Sequence, residues 1–232
     1  MGLCLTIETS LSRLRLQGIS ACLIGEIALN YYNVPRVVHD IEICVPRASL
    51  SEAVSILCAD NEFWPVEKKD FDIFTEYKRG FPVLAATQSK LLLVLFPDSH
   101  FYLSPVEDVI VDQEWPPTNY SHQILELVSR DELKHLPVPR LPPYFIGLCQ
   151  RFFESDDAMA RISAEQLVDG MDLDNGWVRA NLSSAPHQVR ELATGLVAEK
   201  SSRCDGDLNQ ALLHTGDKGQ SQNLRLIAGS GY

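Results

Sequence analysis

Residues 23 to 46, LIGEIALNYYNVPRVVHDIEICVP, decide how this chain is read. An apolar run, Ala21 to Ile24, ends at Gly25 and reads as a buried strand, and Glu26 to Asn33 follows with helical spacing. Pro35 stops that helix, because proline offers no N–H and disfavours helical backbone in the residue before it. Val37 to Val45 reads as the next strand, closed by Pro46. Side chains two apart in a strand share a face, so Asp40 and Glu42 project together while Ile41, Ile43 and Val45 turn to a core. Two carboxylates fixed side by side on a strand, facing a glycine turn, suit either a divalent cation or a division of acid and base roles.

The surrounding composition narrows the partners. With 20 Lys and Arg against 31 Asp and Glu, the formal charge is -11. That balance opposes a broad electrostatic grip on nucleic acid, which needs clustered cations to neutralise phosphates. A small molecule, a nucleotide or a protein is the expected partner. Six cysteines show no metal-ligand spacing, and Cys22 and Cys44 lie in apolar runs. They read as reduced core thiols of a cytoplasmic protein rather than a disulfide framework. No stretch has the length and apolarity of a transmembrane segment, and no secretory leader is evident. Met1, Gly2 and Thr6 do match the short pattern for acylation at Gly2, with Cys4 nearby; the plainer reading is a lead into the first helix.

Thr9 to Gln17 reads as a short helix stopped by Gly18, and Ser49 to Ala59 as another. Short strands are expected at Phe63 to Glu67, Phe71 to Tyr77, Val83 to Ala86 and Leu91 to Phe96, with one more from His100 to Leu103. The run LLLVLF has no polar face, so it belongs at the centre of a sheet covered on both sides. Past the proline-rich connection Leu136 to Pro143, helices are expected over Tyr144 to Phe153, Asp157 to Met171 and from Ser184 to Glu199. The fold class is therefore α+β: a mixed sheet with flanking helices, then a C-terminal helical region. The divisions are a core over 1–136, helices over 137–199 and a mobile tail over 200–232.

The order strand, Gly turn, helix, strand with D-h-[DE]-h resembles the DNA polymerase β-type nucleotidyltransferase superfamily. The signature there is hG[GS], nine to thirteen residues, then Dh[DE]h. Here Ile24, Gly25 and Glu26 are followed by Ile27 to His39 and then by Asp40, Ile41, Glu42 and Ile43. Some branches also carry R-x-T-x-D, matched in part by Arg36 to Asp40. The resemblance spans residues 10 to 105 and implies a nucleotidyltransferase-like core. It makes Asp40 and Glu42 ligands of Mg2+ or Mn2+, Gly25 the phosphate turn and Arg36 either a substrate contact or the ion-pair partner of an acid. The activity implied is metal-dependent transfer of a nucleoside monophosphate to a small molecule or a protein.

Three positions depart from that pattern. Glu26 stands where Gly or Ser is usual and sets an anion where a phosphate would dock. Val38 replaces a threonine. The third carboxylate has no clear counterpart on LLLVLF, which leaves Asp72, Glu76 and Asp98 to be placed. These departures keep two other functions open. Glu26, Asp40 and Glu42, crowded without a metal, would favour one another's protonation and could isomerise, open or cyclise a small substrate. Alternatively, the fold is a catalytically silent binding module. His39, next to the acids in sequence, is expected on the opposite side of the strand.

Overall fold

The computed structural model describes residues 2–68, 70–111 and 119–214, with side chains through residue 200. The first helix, α1, spans Gly2–Leu16 rather than starting at Thr9. Leu3, Ile7, Ser10 and Leu14 form its buried stripe at helical spacing, and Thr6 donates its hydroxyl to the Gly2 carbonyl at 2.7 Å. Polar Thr6 and Ser10 on that face hid the first turns from a purely apolar periodicity.

The decisive segment folds as β1, Cys22–Leu23, then α2, Gly25–Tyr31, then β2, Asp40–Val45. β2 is shorter than expected because residues 36 to 39 are held by side chains of α2. Asn30 accepts the Arg36 N–H and donates to the Arg36 carbonyl, and Glu26 accepts the His39 N–H. A helix α3, Leu50–Leu57, leads to β3, Phe63–Pro65. β4, Val83–Ala86, and β5, Ser89–Pro97, complete a five-stranded sheet among the described residues, in the order β1-β2-β5-β4-β3. β2 and β5 run parallel, and the other neighbours are antiparallel. The sheet is therefore mixed, and the LLLVLF strand sits at its centre.

Two expected strands are absent. Residues 71 to 77 form a turn because Asp72 accepts the N–H groups of Phe74 and Thr75 and the Thr75 hydroxyl, which diverts the backbone from a ladder. A single 3-10 turn, Glu76–Lys78, follows. Residues 100 to 103 also turn, with Tyr102 at φ 54°.

Short helices α4, His122–Leu125, and α5, Arg130–Leu133, connect to the C-terminal helices. α6 spans Leu141–Ser155, and prolines occupy its first turn, where no N–H is required. α7, Ala158–Gly170, and α8, Asn175–Asn181, are each capped by an aspartate side chain, Asp157 and Asp174. α9 runs His187–His214, past the point where a tail was expected to begin; residues 215–232 lie outside the described residues.

α1 and α3 pack on each other and on β5. The chain after residue 136 is tied to β1 and to the end of α2 by specific bonds. Leu23 N donates to the Pro137 carbonyl, Tyr32 OH to the Pro139 carbonyl and Asn33 to the Gly170 carbonyl. No described helix is long and apolar enough to cross a membrane.

Candidate functional site

Asp40 and Glu42 occupy one face of β2, as alternation requires, and both are buried, at 5 % and 0 % exposure. Parallel pairing sets Leu92 opposite Asp40, Val94 opposite Glu42 and Phe96 opposite Cys44, so the β5 residues opposite the acids are all apolar. Two carboxylates in such surroundings need a counter-charge. Lys78 supplies it. Its ammonium lies 2.8 Å from Asp40 Oδ2 and 2.8 Å from Glu42 Oε1, and the residue is 2 % exposed. Lys68 adds a second cation 3.6 Å from Asp40.

The neighbouring Tyr77 completes the closure. Its hydroxyl donates to Glu42 Oε1 at 2.6 Å, and its ring stacks on Phe96 at 6.0 Å. Burial and the adjacent Glu42 charge hold the Tyr77 phenol well above its ordinary pKa, so it remains a proton donor in that bond. Burial pulls the Lys78 ammonium toward neutrality, but Glu42 and Asp40 outweigh it and keep the charge in place.

From the other side α6 closes in. A Cβ on Gly147 would stand 2.1 Å from the Phe101 carbonyl oxygen, so only glycine lets this helix approach so near. One turn further on, the Arg151 guanidinium lies over the Phe101 ring at 4.3 Å and the Tyr77 ring at 5.1 Å and pairs with Asp157. Tyr144, on the same helix, donates its hydroxyl to the Gly25 carbonyl at 3.4 Å.

Gly25 begins α2 at φ 59°, a left-handed conformation that a side chain resists. A Cβ there would fall 2.2 Å from Glu42 Oε2. The space beside the glycine turn is thus filled by the protein's own carboxylate. Glu42 Oε2 is buried and has no hydrogen-bond partner among the described residues.

The other predicted site residues do not join this cluster. Glu26 turns to His39, accepting its N–H at 2.6 Å and meeting its ring Nδ1 at 2.8 Å. His39 itself is exposed, at 61 % of its side chain. The anticipated crowd of three uncompensated acids is therefore not formed: Glu26 caps the entry to β2, while Asp40 and Glu42 share a lysine. Arg36 donates its Nε to Gln166 on α7 at 2.9 Å, and burial lowers its pKa despite the nearby Glu26. The third-carboxylate candidates also go elsewhere. Asp72 closes its own turn, Glu76 pairs with Arg79, and Asp98 accepts the N–H groups of Arg47 and Ser99 beyond the end of β5.

A divalent metal, implied by the motif, can be tested against this donor set. The oxygens that face each other across the pair are already bound by the ammonium, and one also takes the Tyr77 hydroxyl. Among the described residues no group of three or more His, Cys, Asp or Glu side chains is placed to hold a metal ion. As arranged, the site does not fit a metal. A cation between the carboxylates would occupy the place of Lys78 Nζ. A groove of about 800 Å3 lies elsewhere, between α1 and residues 107–111 and 128–137, with Ile7, Leu11 and Leu136 in its lining.

No family model matches the sequence, and no curated protein matches it. Among solved structures, the chain is similar to a solution structure of the antibiotic-resistance factor ANT(2'')-Ia, at 12% identity and a TM-score of 0.41, covering 91% of this chain and 97% of that one. A crystal structure of ANT(2")-Ia in complex with adenylyl-2"-tobramycin gives 11% identity and a TM-score of 0.43, covering 86% and 99% of the two chains.

Proposed function

We propose that this chain is a nucleotidyltransferase-like protein whose acid pair has been taken over by a lysine, making it a catalytically silent module in its closed form. The support for the fold assignment is the order of parts: Gly turn, short helix and an acid-bearing strand, with Asp40 and Glu42 on one buried face. The observation that carries the functional reading is the Lys78 ammonium, 2.8 Å from both carboxylates.

The chemistry follows from what an ammonium can and cannot do. It neutralises carboxylates through hydrogen bonds, but it has no open coordination positions with which to bridge them to a polyphosphate. Tyr77 and the Glu42 carboxylate fill the remaining space on the two sides where a nucleotide would enter the motif. Two acids with a fixed ammonium also leave no free general base. Their role here is to fasten the Asp72–Gly80 segment and α6 to the sheet, and small-molecule or nucleotide ligands do not reach them in this form.

Thermal denaturation of the full chain with ATP, CTP, GTP and UTP, each with and without Mg2+ or Mn2+, tests the reading. Ligands that bind the native state raise its melting temperature by mass action. The expected result is no shift that requires both metal and nucleotide. A shift dependent on both, accompanied by transfer of labelled nucleoside monophosphate to any acceptor, would refute it.

A further inference from the structure

We propose that Cys22 and Cys44 form a reversible redox latch: a peroxide oxidises the pair to a disulfide that fastens the edge strand β1 to the acid-bearing strand β2. The latch involves neither Lys78 nor the acid pair and stands whether or not that pair is silent.

Position comes first. Cys22 and Cys44 are direct partners in the antiparallel register of β1 and β2, so their side chains leave the sheet on the same face. Two residues along that register the Ile24 N–H donates to the Glu42 carbonyl at 3.0 Å, which makes Cys22 and Cys44 a hydrogen-bonded pair of the wider kind. Such pairs stand about 5.5 Å apart at Cα, inside the range of about 4.4–6.8 Å that a disulfide spans. Both residues are free thiols and both are fully buried. The Cys22 thiol is the largest influence on Cys44, which it and burial hold well above the ordinary thiol pKa. No strand has to slide for the two sulfurs to join.

The mount of β1 gives an oxidant its route. The strand is two residues long and lies at the edge of the sheet. Its outer side is held by the bond from Leu23 N to the Pro137 carbonyl, and Gly18, at φ 75°, and Gly25, at φ 59°, bracket it. Short edge elements open locally before a core does, and a sealed, protonated thiol reacts only after such an opening. One thiolate then attacks a peroxide oxygen, the O–O bond breaks, and a sulfenic acid and water form; on closure the second thiol displaces the sulfenic oxygen as water and the S–S bond forms. With hydrogen peroxide, two thiols and one peroxide become one disulfide and two waters, the sulfurs giving up the two electrons that the peroxide takes. The bridge closes residues 22–44 into a loop that holds Gly25, α2, Asp40 and Glu42. Oxidation ties down the whole motif, and reduction frees β1 to open.

The test treats the full chain with hydrogen peroxide, blocks the remaining thiols and maps every cysteine by mass spectrometry after digestion without reductant. The expected result is a linked pair of peptides carrying Cys22 and Cys44, separated by dithiothreitol. The bridged chain should melt at least about 3 °C above the reduced one, because a closed loop of this size restricts the unfolded chain, and dithiothreitol should reverse the rise. Cys22→Ala and Cys44→Ala should each abolish the rise, and Cys4→Ser/Cys58→Ser, which removes the partly exposed thiols, should keep it. Cys22 and Cys44 recovered in any other form, free or linked elsewhere, overturn the proposal. So does a bridged chain that melts no higher than the reduced one, or a rise that survives in either alanine variant. The mapping uses the unmutated chain, so it decides the matter even where a variant does not fold.

Discussion

The two faces of β2 are equally buried and chemically opposite. All six residues from Asp40 to Val45 are buried. On one face Ile41, Ile43 and Val45 belong to the apolar core; on the other, Asp40 and Glu42 are closed over by Lys78, Tyr77 and α6. The first face is stabilised by many small, interchangeable contacts. The second depends on a few charged partners, each of which leaves an unpaired charge behind when removed. Burial alone does not tell these apart; the partner of each buried group does.

The sharpest contrast comes from Lys78→Ala. It strands two buried carboxylates and should lower stability by about 3–5 kcal/mol in urea denaturation at pH 7. Gly25→Ala should cost about 2–3 kcal/mol, because it combines a positive φ with a Cβ driven into the Glu42 carboxylate. Replacing the buried cluster by Asp40→Leu, Glu42→Leu, Tyr77→Phe and Lys78→Met together should stay within about 2 kcal/mol of wild type, since it leaves no fully buried charge unpaired and deprives only the partly exposed Lys68 of its carboxylate. Equal damage from the single and the quadruple change would break the comparison.

Acid sensitivity distinguishes the faces more gently. His100 stacks on Phe96, and burial, followed by the Arg151 charge, pushes its pKa down to about 4, against a smaller upward pull from Asp157. The unfolded chain therefore takes the His100 proton first as pH falls below the ordinary value of 6.5. Stability from this group is complete above that value and is lost down to about pH 4, amounting to about 1–2 kcal/mol between pH 7.5 and pH 5. His100→Phe should remove that part of the slope, read as the difference in melting between the two pH values. On the apolar face Ile43→Val should cost only about 1 kcal/mol and add no pH dependence.

Much of this arrangement was legible in the chain. Alternation placed Asp40 and Glu42 together, the absence of a polar face placed LLLVLF at the sheet centre, and Pro35 and Pro46 bounded the helix and strand. Lys78 was not legible, because it lies 38 residues from Asp40, just past a segment, Phe71 to Tyr77, that reads as a strand. The Asp72-x-x-Thr75 spacing carries the turn signal that apolar patterning overrode. Charge reasoning offered a second route: two acids on a buried face with no acid or metal ligand opposite them demand a cation from some other part of the chain. Glu26 was misplaced for a related reason. Sequence adjacency to the glycine turn does not reveal that its carboxylate bends back to the His39 N–H rather than forward to the acids.

The most direct measurement is a crystal structure of the wild-type protein soaked in Mn2+ and ATP, with anomalous scattering recorded from the metal. The account predicts Lys78 Nζ between Asp40 and Glu42 and no manganese peak there. A manganese peak bridging the two carboxylates, with Lys78 turned away and triphosphate beside Gly25, would contradict it.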